Sequence, residues 1–401
     1  MSVFPSHRHL LVSAIIAALT IGGIAEAHAQ TAAERMAERR AAREAARSGS
    51  KAKVEEDYPN ATRKAPGLSA SSRLVSRLNA VSEAQQEGDL AAAEAAATHV
   101  LENDRANAYE RAITLRLLAD LLVDSDPARA QDYLRQVIEL DGLDNNQHYN
   151  AMLLLSQLQL QAEDNAAALA TLDRLLSETR SDKPELQALR GSILYQMERY
   201  DDAVAALEPI VRGKPDAQPQ WRQLLLAAYV DGERTADAAA LAKEIAASTP
   251  DDKRAQLNLA SVYLQSDDYA NAISVYERLR QAGQLTEESE YRNLAALYLN
   301  SENGEKNAIA VVNEGLEKGI LSPDHRAYSM LAQAYYFSDQ YEQAIEAYRK
   351  AAPLDDDGTT YLNLAKALAN EGRTAESKEA AQKALDKGLQ NPEEARRLLA
   401  R

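Results

Sequence analysis

Apolar positions along this chain recur at helical spacing in short blocks, separated by polar turns, from about residue 73 to residue 390. Residues 256–279 show the unit. Ala260 and Tyr263 fall on one stripe of a first helix, and Ala272, Tyr276 and Leu279 on one stripe of a second, with Ser266, Asp267 and Asp268 between them. The spacing predicts an antiparallel helix pair. Neither stripe is covered within the pair, so neighbouring pairs must stack, and the pattern has to repeat.

The repetition is marked by its turns. Gly88, Asp124-Ser125-Asp126-Pro127, Glu163-Asp164-Asn165, Glu198-Arg199-Tyr200 and Asp231-Gly232 punctuate the first half, and Asp267-Asp268, Asn303-Gly304, Ser338-Asp339 and Glu371-Gly372 the second. Nine helix pairs follow. Pro184, Pro215, Pro250, Pro323 and Pro353 sit at the far sides of the pairs, near helix ends where a missing N–H does least harm. Gly191, Ala203, Ala272 and Ala344 have a mechanical reason, because two helices of a pair close only where one side chain is nearly absent. Pro209 inside a second helix, the turn at 124–127 and the extra residue near 303–306 interrupt the pattern locally.

Leu259-Ala260, Tyr263, Tyr269 and Ala272 in one unit, and Leu331-Ala332, Tyr335, Tyr341, Ala344, Tyr348 and Ala351 in another, resemble the tetratricopeptide repeat, whose unit is about 34 residues long. The resemblance implies an all-α fold, a right-handed α-solenoid of about nine tetratricopeptide-like helix hairpins. A narrower resemblance runs through Leu143-Asp-Asn-Asn-Gln-His-Tyr149, Leu169-Ala-Thr-Leu-Asp-Arg-Leu175, Gly191 to Tyr200, Pro219-Gln-Trp-Arg-Gln-Leu-Leu225, Gln281-Ala-Gly-Gln-Leu285, Arg292-Asn-Leu-Ala-Ala-Leu-Tyr298 and Glu314-Gly-Leu-Glu-Lys-Gly319. These segments are similar to exported repeat proteins encoded beside the TonB, ExbB and ExbD energy-transduction genes. That resemblance implies a partner system without assigning a contact.

Residues 1–29 read as a signal peptide: His7-Arg8-His9, an apolar run from Leu10 to Ile24, then Ala27 and Ala29 around His28. A membrane anchor is the alternative, but the run is short for a bilayer span. Residues 30–72 form a charged flexible arm and linker, rich in Ala, Glu and Arg and ending in Pro59 and Pro66-Gly67. Such an arm is a spacer or a partner-binding segment. Residues 73–390 are the repeat solenoid, and 391–401, opening on Asn391-Pro392-Glu393, a C-terminal capping helix.

Composition narrows the chemistry. Hydrophobic residues make up 45% and aromatic ones 5%, which suits a long helical array with a thin core. The chain has no cysteine, so disulfides, thiolate metal sites and a cysteine nucleophile are excluded. Export together with that absence suits the periplasm. A net charge of -16 repels phosphate backbones and anionic membranes, so nucleic acid is not an expected partner.

No phosphate-cradling glycine loop, paired-histidine metal signature or nucleophile elbow occurs, and neither cofactor nor catalysis is expected. His99, His148 and His325 lie in different repeats without ligand spacing and read as surface or packing residues. Asp355-Asp356-Asp357-Gly358 has the start of a calcium loop, but Pro353 and Leu364 occupy the ends where carboxylates belong. Trp221 is the single tryptophan, a core or groove-wall residue.

The candidate site is the opposite face of the first helices. Asn258, Asn293 and Asn363 each precede Leu-Ala in a first helix, and Arg254 and Ser261 share the face of Asn258. In the tetratricopeptide family that face lines the binding groove. Arg292, Arg326, Gln333 and Lys366 would add donors there, and each amide would grip a peptide backbone by donating and accepting together. Met330 breaks the series, and the asparagines could instead bridge adjacent repeats. The expected function is a periplasmic, non-enzymatic protein-binding adapter assisting TonB-dependent energised transport across the outer membrane. Its expected partner is a protein or peptide segment, TonB, ExbB or ExbD among the candidates, with no membrane span once the signal is removed. The alternatives are a scaffold for outer-membrane protein insertion or division-linked peptidoglycan synthesis, and, more remotely, a carbohydrate-handling protein.

Overall fold

A computed structural model describes residues 56–400. The signal peptide and most of the arm lie outside them. Among the described residues the regular elements are α-helices, joined by one short 3-10 turn at Ala352–Leu354. The chain divides into two compact units, one ending at Arg234 and one beginning at Thr235.

The first unit holds α1 (Val75–Glu87), α2 (Leu90–Leu101), α3 (Ala108–Leu122), α4 (Pro127–Leu140), α5 (Asn145–Gln161), α6 (Asn165–Thr179), α7 (Pro184–Gln196), α8 (Tyr200–Val211) and α9 (Pro219–Asp231). The second holds α10 (Thr235–Ser248), α11 (Lys253–Gln265), α12 (Tyr269–Gln281), α13 (Glu288–Leu299), α14 (Glu305–Glu317), α15 (His325–Phe337), α16 (Tyr341–Ala351), α17 (Thr359–Asn370), α18 (Thr374–Asp386) and α19 (Glu393–Ala400). Within each unit every helix packs on the one before it and the one after it. This sequential pairing is that of a tetratricopeptide-like α-solenoid.

The turn inside each hairpin repeats one device. Glu163, Glu198, Asp267, Asn303 and Asp339 take left-handed backbone angles, φ 56° to 60°, where Gly88 and Gly372 stand in other hairpins. Except after Asn303, the residue that follows turns its N–H back onto the helix just ended: Asp164 N to Gln159 O at 2.9 Å, Asp268 N to Tyr263 O at 2.8 Å, Gln340 N to Tyr335 O at 2.9 Å. These bonds satisfy carbonyls that a helix end would otherwise leave open. At Asn303, where the sequence has an extra residue, Gly304 N reaches Ser301 O at 3.4 Å instead. Asp89, Asp164 and Asp268 then cap the second helix, accepting from Ala92 N, Ala167 N and Asn271 N. The hairpin α3–α4 departs at the turn the sequence marked as irregular. There Asp126 caps Arg129 N and Pro127 opens α4, so no left-handed residue is needed.

The core follows the small residues. Ala168, Ala203, Ala272 and Ala344 are fully buried at the start of their second helices, with Leu172, Leu207, Tyr276 and Tyr348 one turn on. A Cβ added to Gly191 would stand 2.6 Å from Leu207 Cγ, so α7 and α8 close on a side chain that is absent. Pro209 does not end α8, which runs on to Val211, and Ala205, whose carbonyl loses its partner, is exposed. Replacing Ala344 by leucine is expected to destabilise the second unit by about 2 kcal/mol through overpacking. Urea unfolding would measure it, and an Ala344→Leu chain as stable as the parent would contradict the close approach.

The sequence assigned residues 30–72 to a flexible arm and linker. Of its described part, residues 57–63 and Ser71 are anchored on the first unit, while residues 64–69 are exposed. Tyr58 is buried, Thr62 N gives a 2.8 Å bond to Glu178 O at the end of α6, and Ser71 bonds Glu110 of α3. Proline, glycine and charge mark the stretch as irregular backbone, but its anchors lie about 40 to 116 residues away, beyond local pattern.

Candidate functional site

In the second unit the first helix of each hairpin buries one stripe and turns the other outward. Asp252 starts α11 by accepting from Arg254 N at 2.9 Å and Ala255 N at 3.2 Å. Ala255, Leu259, Ala260 and Val262 go into the core, which leaves Arg254 exposed and Asn258 and Ser261 half-buried on the other side. Asn293 of α13 and Arg326 and Gln333 of α15 are exposed. Asn363 and Lys366 of α17, and Arg292 of α13, are half-buried. All nine expected residues thus stand on first helices, and they differ in how free they are.

Arg292 is engaged. Its guanidinium bonds Glu288 one turn back and reaches Asp324 Oδ2 at 2.9 Å, the residue that caps α15 through Ala327 N. Its side chain is 15% exposed. The hydrogen bonds from Arg292 are the main cause holding Glu288 below the usual carboxylate range. Burial works against the ionised form of Asp324, but the Ala327 N–H and Arg292 outweigh it. Lys366 Nζ lies 2.8 Å from Glu394 on α19, and Lys253 Nζ 2.7 Å from Glu290 on α13. The expectation of Arg292 and Lys366 as open donors is therefore corrected. Helical spacing places Arg292 beside Glu288, but Asp324 and the Glu394 that holds Lys366 are brought in by later helices.

Arg254, Arg326 and Gln333 have no side-chain ion-pair or hydrogen-bond partner among the described residues. Asn293 Nδ2 is 3.5 Å from the Tyr276 hydroxyl of the preceding hairpin, the long limit of a hydrogen bond. Burial raises the Tyr276 pKa, so that hydroxyl stays neutral and can accept. Asn293 accordingly touches the neighbouring repeat while most of its amide remains open.

A network that sequence reasoning missed joins α12, α13 and α14. Tyr298 gives its hydroxyl to Glu277 at 2.8 Å, Tyr291 gives its own to Glu314 at 2.9 Å, and Arg280 bonds both carboxylates. Lys318 completes it on Glu314. The pairs Glu277–Arg280 and Glu314–Lys318 were visible as helical spacings; the Tyr298–Glu277 and Arg280–Glu314 bonds that join one repeat to the next, and the Tyr291–Glu314 bond within a hairpin, were not.

The remaining candidates take structural places. Trp221 lines a depression of about 630 Å³ with Pro184, Pro209 and Ile210, which makes it a wall residue. Asp355 accepts from Thr360 N at 2.9 Å and Asp357 from Thr359 N at 2.6 Å, so the acidic turn caps α17. His325 Nε2 sits 2.9 Å from Thr360 Oγ1. Among the described residues no helix is long and apolar enough to cross a membrane.

No curated protein matches the chain. Solved structures similar to it include a tetratricopeptide repeat protein from Parabacteroides merdae, at 13% identity over 73% of this chain and 98% of that one, TM-score 0.39. Another is the C-terminal part of a repeat-containing protein from Cytophaga hutchinsonii, at 13% identity over 69% and 95%, TM-score 0.42. A third is the apo form of RapI, at 13% identity over 79% and 97%, TM-score 0.41. Family models described as tetratricopeptide repeat match residues 121–193, 224–285, 325–357 and 358–386. Those segments include hairpins of both units and, of the helices that carry the candidate site, α11, α15 and α17 but not α13. Such repeats suggest a protein-binding scaffold, and the chain is a tetratricopeptide repeat protein.

Proposed function

We propose that the chain is a periplasmic, non-enzymatic adapter that holds an extended protein segment along the first helices of its second unit and assists TonB-dependent transport across the outer membrane. The observation that supports the binding face is the row of open polar side chains there: Arg254, Asn293, Arg326 and Gln333 are exposed on α11, α13 and α15. Exposed amides bond an extended backbone, which offers one donor and one acceptor per residue. The two free guanidiniums select carboxylates, so the partner segment is polar and acid-bearing. The TonB assignment rests on the sequence resemblance, and the export it requires on the signal-peptide pattern of residues 1–29.

A photo-crosslinking residue at position 333, in cells that make the full chain, would identify what occupies the face. Capture of a TonB-system protein supports the reading. Capture of an outer-membrane insertion or cell-wall synthesis protein moves the assignment to envelope assembly, and no capture removes the site. Asn258→Ala combined with Asn293→Ala is expected to lower that capture about tenfold while unfolding stability stays within about 0.5 kcal/mol. Equal loss of both would make the asparagines bridges between repeats.

A further inference from the structure

Residues 57–63 form a strap fixed on the first unit by two anchors. Arg63 is the stronger. Its Nε gives a 2.6 Å bond to Asp141 Oδ1, Nη1 a 2.8 Å bond to Asn145 Oδ1, and Nη2 bonds of 2.8 Å to Leu143 O and 3.2 Å to Asp141 O. The guanidinium thus closes the end of α4, where carbonyls lack helical partners. Tyr58 is the other anchor, its ring centroid 5.2 Å from that of Tyr149 on α5, with Lys183 Nζ 4.6 Å above it. Between them Thr62 bonds Glu178 O through both N–H and hydroxyl, and just ahead of Tyr58 the Asp57 N–H reaches Asn146 Oδ1 at 3.0 Å.

Next to Arg63 lies His148, 1% exposed, with neither ring nitrogen hydrogen-bonded. Its Nδ1 is 3.8 Å from Asp141 Oδ1, the same oxygen that Arg63 holds. One carboxylate therefore faces two basic groups. With the imidazole neutral, Arg63 has Asp141 to itself. A protonated ring would share that oxygen, repel the guanidinium and require solvent that the packed strap excludes.

We propose that the strap is an acid-released latch, in which protonation of His148 displaces Arg63 from Asp141 and lets residues 57–63 leave α5 and α6. The charged groups around the ring agree with this reading. Burial and then the Arg63 charge push the His148 pKa down to about 4 from its ordinary 6.5, Asp141 and Glu178 oppose the shift, and Arg174 adds to it. Lys183 over Tyr58 is a further cation that strap release would uncover. The sign follows from linkage: the docked strap disfavours the proton, so docking is at full strength above pH 6.5. It weakens as pH falls from 6.5 toward 4. Release would uncover Tyr149 and lengthen the tether ahead of α1, which stays pinned at Ser71 by Glu110.

Hydrogen exchange of the full chain, corrected for the intrinsic effect of pH, tests it on the peptide containing Thr62. Protection is expected to fall about 30-fold between pH 7.5 and pH 5, the ratio that a docked value near 4 and a released value of 6.5 imply. His148→Asn, which cannot titrate, should lose none of it over the same range. Equal protection in the parent at both pH values, or the same loss in the variant, would overturn the latch. If His148→Asn unpacks α5 at pH 7.5, the His148 ring titration by NMR decides. Its midpoint should rise from near 4 toward 6.5 in Arg63→Gln, and a midpoint unmoved by that change would reject the coupling.

Discussion

Gly142→Ala is expected to destabilise the first unit by about 3 kcal/mol, more than any exposed substitution in the chain. A Cβ at this position would lie 2.3 Å from both the carbonyl carbon and oxygen of Ala108 and 2.6 Å from Tyr109 N. These are backbone atoms of the first turn of α3. No rotamer change can relieve the overlap, so either the α4–α5 connection or the start of α3 must shift. The neighbours raise the cost, because Asp141 holds Arg63 and Leu143 is fully buried. Gly213→Ala makes the matching control: its φ is +67° but nothing lies within 4 Å of the added carbon, so only a backbone penalty of about 1 kcal/mol is expected. Urea unfolding followed by circular dichroism compares the two, with hydrogen exchange of α3 and α5 locating the damage. A Gly142→Ala chain no less stable than Gly213→Ala would mean that the approach of α3 is not as close as described.

The hairpins were legible because their cause is local. Ala272, Tyr276 and Leu279 share a stripe at helical spacing, and all three are buried in α12. The turns were legible for the same reason, although not their mechanism: a sequence with Glu163, Glu198 and Asp339 at the turns gives no warning of left-handed backbone, which glycine would signal. The candidate face was legible as a face and not as a set of charges. Arg254 and Arg292 look alike in sequence, yet one is exposed and the other is held between Glu288 and Asp324. Glu288 stands at helical spacing from Arg292 and is legible, but Asp324, 32 residues further on, is brought near only by the stacking of hairpins. The strap was hidden for a related reason. Its composition reads as linker, and Arg63 finds Asp141 across 78 residues.

Glu110→Ala should carry a comparable cost, about 3 kcal/mol, and through a different cause. The Glu110 side chain is fully buried on α3. One carboxylate oxygen accepts from Ser71 N at 2.7 Å and Ser71 Oγ at 2.6 Å, and the other from Asn107 N at 2.8 Å. Asn107 answers by accepting from Glu110 N at 2.9 Å, which closes a capping box at the start of α3. Ser71 in turn accepts from Val75 N at the start of α1. A single carboxylate therefore starts one helix and pins the approach to another, and alanine would leave its buried donors without an acceptor. Glu110→Gln keeps the shape and one acceptor oxygen, so it should lose about half as much. Acid should reproduce part of the effect. Burial disfavours the charge, but the Ser71 hydroxyl and the Asn107 and Ser71 N–H groups outweigh it and hold the pKa below the usual carboxylate value of 4.5. The contribution is thus complete above pH 4.5 and is lost as pH falls through the lowered value. Urea unfolding at pH 7 and hydrogen exchange over residues 70–76 measure both parts. If Glu110→Ala unfolded at the same urea concentration as the parent, the carboxylate would be a passenger in the capping box, and α1 would have to be held by its packing on α2 and α3 alone.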